Sequence, residues 1–447
     1  MSSHPLELLL RQSWTVRLED GGALPDDRNA PSVVCRADDG PRTWLRYGDW
    51  HVYTRPAARC DAAGEVIANF LREGGPPVAA YQDASTGEVV IPFSLADAYR
   101  SYVSERWREA SANRRLSERT LRVFYHLKSA IPRRVQLAAR RRLVARQGVP
   151  EFPSWPLDVS VGHLLRFYAS CTLRAAGRTE GEFGWFWPDC HRAAIILTHD
   201  VEGDDGVRRA LELADLEQEH GFRSSFNFGA WYEHLDPGVL QELTARGFEI
   251  GMHGLTHDRQ LFASRAAFEE RLRPLGELAE RLGAVGFRSP ATHRVFDWLG
   301  ELPVEYDCTI PNSDPYEPIP GGCCSVWPFF VGEVVELPYT LPQDHTLLTL
   351  LGHRSPELWL DEAEAIEREH GLIQCVTHPD AGYLGDAEKR AVYAEFLTGV
   401  AARDGLWRAL PRDVARWWRR RATGNDEVRN GVARLDEGAR VVFEPPA

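Results

Sequence analysis

From residue 193 to residue 377 the chain repeats one alternation, a short apolar run of strand length followed by an amphipathic stretch of helical length. Strand-like runs fall at 193–200, 224–230, 248–253, 285–290, 304–307, 334–337 and 372–377, with helical patterns at 206–220, 237–246, 265–282 and 356–370. Parallel strands need long crossovers, and a helix is the usual one, so this order predicts a parallel α/β fold of barrel type. In such folds the chemistry collects at the C-terminal ends of the strands.

Those ends hold the polar residues of interest. Ala193-Ala-Ile-Ile-Leu-Thr-His-Asp200-Val-Glu202 runs from a buried strand into acids, and Asp204 and Asp205 follow. Asp200 and Glu202 are two apart and share a face if strand geometry persists, while His199 points the other way. One carboxylate could then hold a metal and the other take a proton. His253 and His257 are four apart, which brings both imidazoles to one face if the turn after the strand is helical. Arg288, just before Ser289-Pro290, is either a structural salt bridge or a fixed partner for a catalytic carboxylate. His378 closes the run 372–377. Asp307, after Tyr306, is open between a structural and a catalytic place and is carried with the catalytic set.

A length of 447 residues exceeds one ordinary core and implies two domains. With 43% apolar and 26% charged residues the chain is neither disordered nor fibrous, and a net charge of −13 argues against a general nucleic-acid binder. Eight cysteines without a C-x-x-C pair read as mostly buried thiols. The start of the chain has Glu7 inside a short Leu-rich run, which is not a secretory pattern, and no stretch reaches membrane-span length. A cytoplasmic protein is expected.

Four segments follow. Residues 1–115, with strand-like pieces at 44–47, 51–54 and 89–92 and a helix over 94–108, read as an α+β accessory domain. Residues 116–190 read as a basic helical and aromatic linker. Between 117 and 146 it carries Arg122, Lys128, Arg133, Arg134, Arg140, Arg141, Arg142 and Arg146 among leucines and valines, with Pro132 splitting the helix. That face is either simply solvated or meets anionic lipid headgroups or a diphosphate-bearing substrate. The aromatic run 183–188 reads as packing rather than a sugar platform. Residues 191–421 form the barrel, and 422–447 a C-terminal tail.

Taken in order, Thr198-His-Asp200, His253-x-x-x-His257, Arg288-x-Pro290, Tyr306-Asp307 and Thr377-His378 resemble the polysaccharide deacetylase family, also called the NodB homology domain or carbohydrate esterase family 4. The resemblance covers roughly residues 190–420. It implies a distorted (β/α) barrel with one divalent metal, zinc before cobalt, nickel or manganese, that hydrolyses N-acetyl or O-acetyl groups on sugars. Position by position, Asp200 is similar to the family's general base, His253 and His257 to two metal ligands, Arg288 to the base-orienting arginine and His378 to the general acid. Pro290 and Ala291 are similar to the motif whose backbone N–H holds the oxyanion. The family commonly has a second aspartate directly after the base as third ligand, and here Val201 stands there. Glu202 is the substitute, because a two-residue offset restores the same face, and Asp204 is the fallback. Ala291 also replaces an aromatic found in many relatives, leaving His293 as a polar contact to substrate.

The chemistry expected is attack by an activated water on an acyl carbonyl, with Asp200 as base and protonated His378 supplying the leaving amine with a proton. A cytoplasmic setting favours a nucleotide-linked sugar, a lipid-linked glycan intermediate or a small glycosylated metabolite, and the basic helices suit the lipid-linked option. Two other readings stand beside this one: a metal-dependent amidohydrolase acting on a small non-sugar amide, and an inactive glycan-binding protein in which Val201 marks a decayed site.

Overall fold

The computed structural model describes residues 4–12, 16–19, 31–58, 64–110, 133–230, 236–424, 427–436 and 440–446. Residues 117–132 of the basic segment, with Arg122, Lys128 and Pro132, lie outside the described residues, as does Cys60.

The Leu-rich start folds as the helix Pro5–Leu10. Leu6 N–H donates to His4 Nδ1 at 3.2 Å and His4 N–H donates to Glu7 Oε2 at 3.2 Å, a reciprocal cap that satisfies donors the helix itself leaves unpaired. Leu6, Leu9 and Leu10 are buried. Seven strands then form a mixed sheet in the spatial order Arg17–Glu19, Ser32–Cys35, Val89–Ile91, Val78–Asp83, Gly64–Arg72, Thr43–Tyr47, Trp50–Thr54. The helix expected over 94–108 stops at Val103: Glu105 sits at φ 57°, and a 3-10 turn, Arg106–Glu109, follows it.

The region read as a linker is only partly one. Its helix Ser160–Ala175 buries Leu164, Leu165 and Tyr168 in the same core as the seven-stranded sheet, and the aromatic run packs inside as Phe183, Trp185, Phe186 and Trp187. The expected tail is also folded. Asn430–Leu435 pairs antiparallel with both Val441–Glu444 and Glu180–Gly184, because Ala433, Val441 and Phe443 alternate with outward residues and need a partner sheet to cover them. Arg421 ties the two ends together, its guanidinium donating to Leu9 O and Gly184 O, both at 2.7 Å. One continuous core runs from Leu6 to Phe443.

The second sheet is a curled, mixed α/β half-barrel. Its order is Phe329–Val331, Val334–Glu336, Tyr306–Asp307, Gly286–Phe287, Glu249–Met252, Ser225–Phe228, Ala193–Asp200, Leu372–Thr377, with Leu406–Arg408 also pairing Ala193–Asp200. All these pairings are parallel except that of Phe329–Val331. Every residue of Ala193–Asp200 is buried, as expected of a strand covered on both faces. The chain after Glu336 stitches the open side: Tyr339 N–H donates to Ile310 O at 3.1 Å and Leu341 N–H to Gln374 O at 3.1 Å.

The run 285–290 makes only a two-residue strand, Gly286–Phe287. Gly286 lies so close to the Tyr306 ring that a Cβ would stand 1.9 Å from its Cζ. The strand ends there, and Arg288 enters a loop. Among the described residues no helix is long and apolar enough to cross a membrane. The free thiols fit the sequence reading, with Cys171, Cys308, Cys323, Cys324 and Cys375 buried.

Candidate active site

At the C-terminal end of the central strand the two faces separate as the alternation requires. His199 points outward, its Nε2 2.7 Å from Glu217 Oε1 and its Nδ1 2.7 Å from Thr377 Oγ1. Asp200 points into the half-barrel. Asn227, its register partner on the neighbouring strand, donates from Nδ2 to Asp200 Oδ1 at 2.8 Å. Burial pushes the Asp200 carboxyl up, but Arg288, His253, His378 and the Asn227 bond together outweigh it and hold it below the usual range.

Arg288 is fully buried, with Nη1 3.9 Å from Asp200 Oδ2. Nη2 donates to Thr198 Oγ1 at 3.0 Å and, with the Gln374 amide turned so that its oxygen rather than its nitrogen faces the guanidinium, to that oxygen at 2.6 Å; the guanidinium lies 5.8 Å from the Tyr339 ring centroid. These contacts fix its plane, so the two sequence readings merge: it is a structural cation whose charge faces the carboxylate.

Beside Asp200, ligand atoms of Glu202, His253 and His257 lie within 4.8 Å of one another. The turn after the strand is not helical, contrary to the condition set on the His253/His257 spacing. Gly254 at φ 99° folds the chain back instead, and the two rings meet at 5.5 Å between centroids. His253 Nδ1 is 3.1 Å from the carbonyl of Arg288, which can only accept, so Nδ1 carries the hydrogen and Nε2 presents its lone pair. Burial pushes this imidazole down to about 4, so it is neutral near pH 7. His257 Nε2 lies 2.9 Å from Glu202 Oε1. Burial raises the Glu202 carboxyl, yet His257 and the charges of His378 and His253 bring it far below its ordinary value. Val201 is buried and its side chain has no ligand atom, while Asp204 begins the helix Asp204–Glu219 as an exposed residue outside the cluster.

His378 faces Glu202 from the other side, Nε2 to Oε1 at 3.8 Å. Its Nδ1 is 2.7 Å from Asp344 Oδ1, and its backbone N–H donates to Asp344 Oδ2 at 3.0 Å. Burial works against the imidazolium, but Asp344, then Glu202 and Asp200, raise it to about 10. Tyr383 stacks on the ring at 4.6 Å.

Pro290–Thr292 forms a single 3-10 turn in which Ala291 and Thr292 take φ 48° and 52°. A β-branched residue at positive φ is an outlier, and such conformations concentrate at functional sites. His293 next to it is buried, and burial together with Arg259 and Arg294 pushes its imidazole down to about 3. Its Nδ1 makes no hydrogen bond among the described residues.

Asp307 is placed elsewhere. Thr309 Oγ1 donates to it at 2.6 Å, and it shares its burial with Glu336, whose Oε1 accepts from Ile310 N–H at 2.8 Å. Burial raises both carboxyls; Asp307 raises Glu336 further by its charge and hydrogen bond, while the hydrogen bond to Glu336 works against the rise of Asp307. Among the described residues no hydrogen bond or ion pair joins Asp307 to Asp200, Glu202 or the histidines, and the site group whose charge it feels is Arg288.

Sequence reasoning missed Asn227, Asp344 and Asp380, whose Oδ2 accepts from Glu202 N–H at 3.0 Å. Asn227 carried a signal, a lone amide inside the buried run Ser225-Phe-Asn-Phe. Asp344 carried none, since its partner is 34 residues away. The basic helix Arg133–Gln147 is also partly engaged. Arg140 Nη2 donates to Tyr316 O at 2.6 Å and Arg141 donates to Thr349 O at 2.6 and 2.9 Å, while Arg142, Leu143 and Arg146 face outward.

The sequence matches no family model and no curated protein. Solved structures with a similar fold include a Mycobacterium smegmatis protein assigned as a polysaccharide deacetylase, 22% identical with TM-score 0.43 over 53% of this chain and 93% of the other. An allantoinase is 18% identical with TM-score 0.41 over 52% of this chain and 92% of its own. A family 4 carbohydrate esterase from Streptomyces lividans, in complex with acetate, is 12% identical with TM-score 0.32 over 48% and 92%.

Proposed function

We propose that this chain is a hydrolase that removes an acetyl group, N-acetyl in preference to O-acetyl, from a sugar or glycan precursor. The observation that carries the reading is geometric: Asp200, held by Asn227 and facing Arg288, and His378, held by Asp344, flank one ligand set of Glu202, His253 and His257. One carboxylate oxygen and two imidazole nitrogens suit zinc or a similar divalent ion, and the neutral His253 with its outward lone pair fits such a role. When bound, that ion supplies a Lewis acid and a water that is nucleophilic near neutral pH.

The chain's own groups do the rest. Asp200, turned by Asn227 and kept charged by Arg288, takes a proton from the attacking water. The backbone N–H of Ala291 serves the oxyanion that forms at the acyl carbon. As the C–N bond breaks, His378 gives its Nε2 proton to the departing nitrogen, and Asp344 steadies the ring on Nδ1. The products are acetate and a free amine.

Elemental analysis of the purified protein tests this first. About one equivalent of metal is expected in the wild type, strongly reduced in both Glu202→Ala and His253→Ala, because a three-ligand site loses most of its affinity with one ligand. Metal surviving Glu202→Ala would return Asp204 to consideration. Acetate release should then be screened on acetylated sugars beside cyclic amides. Turnover of the amides alone would favour the small-amide amidohydrolase, and sugar binding without turnover in the presence of metal would favour the binding protein.

For the substrate we infer a lipid-linked or membrane-proximal precursor, supported by Arg142 and Arg146 beside Leu143, which is 58% exposed, on the outer side of the basic helix. Arg140 and Arg141 are unsuitable probes because they hold the helix in place. Arg142→Ala with Arg146→Ala should weaken sedimentation with anionic phosphatidylglycerol vesicles about tenfold at low salt. Equal binding by both proteins removes the membrane-proximal reading.

A further inference from the structure

The loop that carries Ala291 is held by the N-terminal module. Glu105 is buried at the break between Leu95–Val103 and the 3-10 turn, itself at φ 57°. It accepts two bonds from Arg294, Nε to Oε2 at 2.8 Å and Nη2 to Oε1 at 2.6 Å. The third arm of the same guanidinium, Nη1, donates to Thr292 O at 2.9 Å. One bidentate ion pair therefore grips the carbonyl of the residue that follows Ala291, across the two consecutive positive φ angles.

The grip extends to a second loop at the barrel mouth. Gly321 approaches Glu105 so closely that a Cβ would stand 2.2 Å from Oε1, and Trp107 Nε1 donates to Gly322 O at 3.2 Å. Nothing in the loop's own residues favours left-handed alanine and threonine, and conformations of that kind persist only where the surroundings over-determine them. The bidentate geometry fixes direction as well as distance.

We infer that Glu105 is a positioning residue of the active site: through Arg294 the N-terminal module holds residues 290–294 in the conformation that presents the Ala291 N–H to the reacting carbonyl. The module is thus a structural part of the site. What the loop does for the reaction rests on the deacetylase reading, whereas the clamp does not.

The test uses the full chain with Glu105→Gln, close in shape but uncharged, and Glu105→Asp, which keeps the charge. Hydrogen exchange is read in peptides spanning 289–295 and, as a control, in the central strand 193–200. Glu105→Gln should speed exchange in the loop about tenfold or more and leave the strand protected. Metal content should be unchanged, kcat on an acetylated substrate should fall about 30-fold or more, and KM should stay within about threefold. Glu105→Asp should recover part of both losses. Unchanged loop exchange overturns the inference, and so does a rise shared equally by the strand, which would make Glu105 a general stability residue. Faster loop exchange in a protein that deacetylates no sugar upholds the clamp and counts against the deacetylase reading alone.

Discussion

Asp200→Asn lowers kcat about 10³-fold or more and leaves metal content at the wild-type level. Asparagine is nearly isosteric, and its carbonyl can still accept the Asn227 bond now made to Oδ1 at 2.8 Å. What disappears is the group that takes the water's proton. The neighbouring Arg288 guanidinium, 3.9 Å away and buried, also loses its counter-charge, so a fall in stability accompanies the fall in rate. The pH dependence of that stability has a definite sign. A carboxyl whose folded pKa lies below its ordinary 3.8 stabilises the fold above that value, and the contribution is lost as pH falls through the folded value. Wild type and variant should therefore converge in stability on acidification. Single-turnover rates with metal analysis decide the matter: a metal-loaded variant within tenfold of wild type removes Asp200 from the role of base.

The second large effect belongs to Asp344. Its two oxygens accept from His378 Nδ1 and backbone N–H at 2.7 and 3.0 Å, and its charge is the foremost support for an imidazolium raised to about 10. In Asp344→Asn that charge is gone, and burial, which opposes the charged ring, gains weight. The alkaline limb of kcat should move down toward or below the ordinary imidazole value, with a loss of about 10²-fold at pH 9 and a smaller one at pH 6. A divalent cation beside Glu202 repels the imidazolium and lowers the wild-type limb as well, but the direction of the difference is unchanged. The linkage has the same sign. A raised imidazole stabilises the fold below its ordinary 6.5, and that stability is lost as pH rises through the folded value. An alkaline limb at the same pH in both proteins would sink the assignment of His378 as the acid held by Asp344.

The alternation of runs was enough to place most of the half-barrel strands, because a buried parallel strand and an amphipathic crossover have different hydrophobic periods. It misjudged the limits of some elements, such as the run 285–290, of which only Gly286–Phe287 is strand. Residues 422–447 carried the apolar run Val441-Val-Phe443, yet a strand shows in sequence only what it must cover. Val441–Glu444 pairs with Asn430–Leu435, and the other neighbour of Asn430–Leu435, Glu180–Gly184, is some 250 residues earlier.

The site divides along the same line. Sequence by itself determined which residues stand at or just past strand ends and, along the central strand, on which face: Asp200 inward with His199 outward. These follow from backbone period and side-chain chemistry, which are local. Only the tertiary structure decided what each group faces and hence its charge: Asn227 and Arg288 on Asp200, Asp344 on His378, Glu336 beside Asp307 and Glu105 on Arg294, the last across 189 residues of chain. Protonation and orientation are set by burial and by the nearest charges, and folding chooses those neighbours from anywhere in the chain.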